Sequence, residues 1–152
     1  MPIDAAAGGS AKERGFFRED RVFLLLSILI GVFAGLAVVC FRMAIDAARW
    51  TFFGSGLMPP RGRVVLVPGA VGLLVAFLVV RFFPRVRGSG VNQTKSALYI
   101  YDGYIPGSTI IGKFITSALA IGSGQSLGPE DPSLQIGAGL ASLVGRRLKL
   151  SR

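Results

Sequence analysis

Two uncharged stretches set the limits on what this chain can become. Val22 to Phe41 is a run of 20 residues without a charge, and Val64 to Val80 is a run of 17. A helix needs about 20 predominantly apolar residues to cross the hydrocarbon core of a bilayer, with about 17 as the lower bound. Both runs meet that length, and they predict a multi-pass, all-α integral membrane protein. Composition agrees: 51% of the residues are hydrophobic and 16% are charged, where a soluble domain carries about a quarter charged residues.

The net charge of +9 invites a nucleic-acid reading, but its placement argues otherwise. Lys12, Arg14, Arg18 and Arg21 precede the first run, Arg81, Arg85 and Arg87 follow the second, and Arg146, Arg147, Lys149 and Arg152 close the chain. Basic residues gathered at the ends of apolar segments follow the positive-inside pattern. With those eleven inside and only Arg61 and Arg63 outside, the N-terminus is expected in the cytoplasm and the protein in the plasma (inner) membrane. The lipid bilayer, not nucleic acid, is the expected surroundings.

The sequence has no histidine and a single cysteine, Cys40, inside the first apolar run. An intrachain disulfide and His-based triads or metal sites are therefore excluded within these residues. No cofactor, metal or enzymatic activity is expected. Residues 1–20 combine Ala, Gly, Ser and mixed charges and are expected to form a mobile cytoplasmic leader. The first run is too long for a signal-peptide core and is expected to anchor as well as target.

Helices are expected at about 20–53, 63–83, 91–101, 108–121 and 131–147, so that 21–152 forms one transmembrane unit. Within the first helix, Arg42 and Asp46 are spaced to pair on one face. Gly31 and Gly35 form a GxxxG pair that permits close helix approach in membranes, although chance gives the same spacing readily in a chain with 21 glycines. Gly54 to Arg63, broken by Pro59 and Pro60, reads as an external loop. Beyond Arg87 the texture changes: segments shorten and Gly, Ser and Pro interrupt them, as at Asp102-Gly103 and from Gly122 to Pro132. Short, Gly- or Pro-interrupted apolar segments point to broken helices around an ion site.

An anion in a membrane needs attraction without capture. Helix N-termini provide it through free N–H groups and a partial positive charge. Two places suit this. Gly88-Ser89-Gly90 precedes the expected helix at Val91 and adds a hydroxyl donor, although taken alone it reads first as a helix cap or simple turn. Gly128-Pro129-Glu130-Asp131-Pro132 places two acids ahead of another helix. An ionisable residue at membrane depth is a functional candidate, and a carboxylate near a helix N-terminus takes the place an anion would take. Of the two acids, Asp131 is assigned to capping and Glu130 to gating. Lys113 interrupts the apolar stretch between the motifs and has three open readings: it snorkels, it is buried and paired, or it raises the potential of the pathway. The Gly/Ser run from Gly122 to Gly128 lacks the ending of a phosphate-binding loop and is not read as one.

Taken together, these residues resemble the CLC family of chloride channels and chloride/proton exchangers. Gly88-Ser89-Gly90-Val91 is similar to its GSGIP signature. The segment from Ser123 through Gly128, Glu130 and Pro132 to Gly139 is similar to its GREGP signature and flanks, with Lys113 on the helix between. The resemblance covers about Arg21 to Arg147. It implies that Gly88, Ser89, Gly90 and Val91 bind chloride, that Glu130 gates the path and relays protons, and that Gly128 and Pro132 flank the gate. It further implies a voltage-gated-type chloride channel or chloride/proton antiporter that is a homodimer at full length.

Three positions depart from the pattern. Asn92 stands for proline, Pro129 for arginine and Asp131 for glycine. Proline removes an N–H, and Asp131 adds negative charge beside the gate. The family's later GxFxP motif and chloride-coordinating tyrosine have no counterpart here, so the chain is expected to be the opening part of such a domain and not a complete pore. The alternative is a truncated membrane protein without transport activity, acting as an assembly or inhibitory partner.

Overall fold

The computed structural model describes residues 7–54 and 61–147, all of whose regular structure is helical. The expected loop between the first two helices lies largely outside these residues, as do Lys149, Arg152 and the first part of the leader. Five α-helices follow one another: α1 (Ala7–Phe53), α2 (Arg61–Arg81), α3 (Gly90–Ile100), α4 (Gly107–Gly122) and α5 (Glu130–Arg147), with one 3-10 turn at Pro84–Val86 between α2 and α3. The first helix begins at Ala7 and not near Asp20, so most of the leader is helical. The Ala-rich and Lys/Glu-bearing leader contains no proline after Pro2, and nothing in it obstructs backward extension of the helix from the apolar run.

At about 1.5 Å per residue, α1 is roughly 70 Å long, more than twice the roughly 30 Å of a hydrocarbon core. Two segments are long and apolar enough to cross a membrane, Leu24–Phe53 of α1 and the whole of α2. Both are lined with exposed apolar side chains, among them Leu25, Phe33, Leu73 and Phe77. Such a surface suits lipid as its solvent.

The interior is organised around α4, which packs against α1, α2 and α5. Phe41, Ile45, Ile110, Ala118 and Ile136 form much of the apolar core, and Phe114 meets Phe41 edge-on with ring centroids 5.3 Å apart. The close helix approach is made at a glycine other than the expected pair. Nothing lies within 4 Å of a Cβ built on Gly31 or Gly35, whereas one on Gly122 would stand 2.5 Å from the Ala48 Cβ and 3.0 Å from the Ile45 carbonyl. The α1–α4 contact therefore depends on Gly122. The expected Arg42–Asp46 pair does not form; both side chains are exposed, where an isolated ion pair gains little.

Two side chains fasten the irregular segments. Pro68 lies inside α2, and its carbonyl accepts a hydrogen bond from Gln125 Nε2 at 3.2 Å. The Gly/Ser stretch after α4 is thereby tied across α2. Ser142 of α5 accepts from the Ile105 N–H at 3.2 Å and donates to the Gly103 carbonyl at 2.5 Å, clamping the α3–α4 turn.

Candidate anion site

The site forms where the N-terminus of α3 meets the first turn of α5. Its backbone is shaped by glycine at two closely spaced points. Gly88 has φ +91°, a left-handed conformation that side-chain-bearing residues rarely adopt. It turns the chain sharply out of the 3-10 segment. Gly90 opens α3, and a Cβ there would lie 2.8 Å from the Asp131 carbonyl and 2.9 Å from the Gln135 side chain. The two helices touch because this position has no side chain. Ser89 between them is extended, with φ −71° and ψ 132°, and does not cap its own helix.

The cap comes instead from α5. Asp131 Oδ1 accepts from Ser89 Oγ at 2.7 Å and from the Val91 N–H at 3.1 Å, while Oδ2 accepts from the Gly90 N–H at 2.7 Å. The expected role of Asp131 is to cap the helix it begins; it caps α3 instead, which has no acidic residue in its own first turn. The positive end of α3 thus receives its negative partner from a residue about forty positions away.

Lys113 reaches the same point from α4. It is 7% exposed, donates to the Gly88 carbonyl at 2.9 Å and stands 3.6 Å from Asp131 Oδ2. Of its three readings, the buried and paired one describes its geometry. A buried ammonium is costly unless paired and hydrogen-bonded, and Lys113 has both kinds of partner. It links the loop that forms the cradle to the carboxylate that fills it.

Glu130 is arranged differently. It is the first residue of α5 and is exposed. Its carboxylate lies over Gly128, so closely that a Cβ on Gly128 would collide with Oε2. It takes no part in the cluster at Ser89. Pro132 is buried in the first turn of α5, where a missing N–H costs no helical bond. The Pro129 carbonyl accepts from the Ser133 N–H at 3.0 Å, so this proline helps start the helix.

A cavity of about 670 Å³ opens beside Ser89, with Arg85, Arg87, Asn92 and Tyr101 among its lining residues. Two buried polar atoms on its wall have no hydrogen-bond partner, Thr109 Oγ1 and Gln135 Oε1. The other end of the Gln135 amide is satisfied, donating to Gln93 Oε1 at 2.5 Å. The chamber has polar groups on its wall and a basic rim.

Chemically, three donors and a cation converge on one negative group. Sequence reasoning places the donors on Gly88-Ser89-Gly90-Val91 and the acids on a second motif, but it does not bring Asp131 to Ser89. The available signal is the acid standing where the resembled signature has glycine.

Comparison with known proteins bears on the family of the chain. The family model described as voltage gated chloride channel matches residues 71–152. The chain is 33% identical over 131 residues to chloride channel protein CLC-d of Arabidopsis thaliana, covering 79% of this chain and 16% of that protein. It is 32% identical over 130 residues to the H(+)/Cl(-) exchange transporter ClcA of Vibrio vulnificus, covering 80% and 27%. A putative ClcB-like chloride channel protein of Ralstonia nicotianae is 29% identical over 133 residues, covering 83% and 31%. The chain thus spans less than a third of the length of these curated relatives. No solved structure matches it. With two membrane-length helices and a family model matched over more than half its length, the chain is an all-α membrane protein that belongs to the voltage-gated chloride channel family.

Proposed function

We propose that this chain supplies the anion-binding element of a chloride channel or chloride/proton exchanger. The convergence of Ser89 Oγ and the Gly90 and Val91 N–H groups on a single negative group carries the reading. A backbone cradle of this kind attracts a monovalent anion without the fixed charge that would hold it too firmly. Lys113 raises the local potential from behind the cradle. Glu130 serves as the gate and proton carrier: its exposed carboxylate lies outside the cluster at Ser89, over Gly128, which has no side chain to obstruct it. The pore is completed by further helices, in keeping with the short span of the relatives covered here. The basic residues flanking the apolar helices favour a cytoplasmic N-terminus.

The test is chloride efflux from liposomes containing the full-length protein to which these residues belong. Chloride efflux is expected, and Glu130→Gln is expected to change its dependence on pH. Flux that is identical in the variant across the pH range would remove Glu130 from the mechanism. Flux from residues 1–152 alone would show that no further helices are needed.

A further inference from the structure

The donors that would receive an anion are already in use. Both oxygens of Asp131 are engaged by Ser89, Gly90 and Val91, and Lys113 stands beside them. We infer that Asp131 is a tethered occupant of the anion site, and that a free anion reaches Ser89 only when the Asp131 carboxylate withdraws. This deepens the reading of Gly88–Val91 as the anion cradle and rests on it.

Three observations carry the inference. The first is stoichiometric. A carboxylate and a chloride have the same charge and seek the same donors. The cradle offers one hydroxyl and two N–H groups, all directed at one carboxylate. Two anions cannot share them, because like charges at contact distance repel strongly in a partly desolvated site. Occupancy by Asp131 and by a free anion is therefore mutually exclusive.

The second is the way out. The Asp131 side chain is 37% exposed, whereas that of Lys113 is 9% exposed. The cation is fixed within the fold and the anion lies at its edge. Rotation of the Asp131 side chain removes the carboxylate from the cradle while Lys113 stays bonded to the Gly88 carbonyl. An incoming anion then meets the same donors and the same cation that the carboxylate left.

The third is the chamber next to the cradle. Ser89 borders it, together with the unpartnered Thr109 Oγ1 and Gln135 Oε1, on residues 5% and 1% exposed. Buried polar atoms of this kind normally have a partner, whether protein or water. A hydrated chamber satisfies them and gives an ion a polar approach to Ser89 past Arg85 and Arg87. The Glu130 carboxylate lies over Gly128 and not at the Ser89 donors. The two adjacent acids thus have separate positions, one in the cradle and one outside it.

The experiment measures chloride binding to the full-length protein in detergent by isothermal titration calorimetry, with Asp131→Asn, Asp131→Ala and Ser89→Ala variants. A tethered competitor acts at an effective concentration in the millimolar range or above. Removing its charge is expected to tighten apparent chloride binding by about tenfold or more. Ser89→Ala is expected to weaken binding. Asp131→Asn preserves the side-chain volume, so it remains informative if the alanine variant does not fold, as judged by helical circular dichroism and size-exclusion behaviour. If Ser89→Ala weakens chloride binding but folded Asp131→Asn binds no more tightly than the parent, the tethered occupant is wrong and the cradle stands. If neither Ser89 nor Asp131 substitutions alter chloride binding, the cradle itself is wrong and the inference goes with it.

Discussion

The two long helices and the α3–α5 junction follow opposite rules. On α1 and α2 many large apolar side chains face outward: Leu73 is 77% exposed and Phe77 60%. At the junction the buried residues include Thr109, Lys113 and Gln135. The apolar faces of the first region suit lipid, since the backbone groups are satisfied along each helix. The second contains irregular backbone and ionised groups, and its charged groups hold it together by finding partners across helix boundaries. The contrast teaches where mutational sensitivity lies. Hydrophobic side chains are cheap to change where lipid surrounds them, and glycines and charges are expensive to change where helices meet.

The contact between α1 and α4 is the most sensitive point. Gly122→Val brings a branched side chain against the Ala48 Cβ and the backbone of α1 at Ile45 and Arg49. Backbone cannot move aside as a flexible side chain can, so a loss of about 3 kcal/mol is expected, read as reduced thermal stability in detergent. Wild-type stability in that variant would mean that α1 and α4 do not approach as described.

Lys113→Met tests the junction alone. It leaves Asp131 with its three donors but without its cation, and a loss of about 1–3 kcal/mol is expected. Combining it with Asp131→Asn should cost less than the sum of the two single changes, because the residues contact one another. Strict additivity in a double-mutant cycle would show that the pair is not coupled. The smallest effect belongs to the lipid-facing side. Leu73→Ala changes a side chain that stays in an apolar solvent, and less than about 0.5 kcal/mol is expected. A large loss there would reveal that Leu73 packs against another protein surface and not lipid.

Much of this architecture is legible in the order of the residues. The uncharged runs beginning at Val22 and Val64 specify membrane-length helices because hydrocarbon thickness imposes a length. Glycines at Gly88, Gly103 and Gly124 mark the interruptions because glycine permits the left-handed turns found there. Other features are not legible. The start of α1 at Ala7 escapes a sequence reading because neither charge nor hydropathy marks a helix end that lies outside the membrane. Gly31 and Gly35 have the spacing of a packing motif, yet Gly122 makes the close approach. Spacing reports that two glycines share a face; it does not report what that face meets.

The same division runs through the candidate anion site. Sequence alone pointed to the class of protein, to candidate donors around Ser89, Gly90 and Val91 and to two acids, because hydrophobic length and helix-terminus chemistry are local properties. Only the tertiary structure decided which acid meets the donors. Asp131 and Ser89 are 42 residues apart, and they come together because Gly90 lets α3 rest against the first turn of α5. Contact across a helix boundary depends on how two surfaces fit, and no local pattern along the chain contains that information.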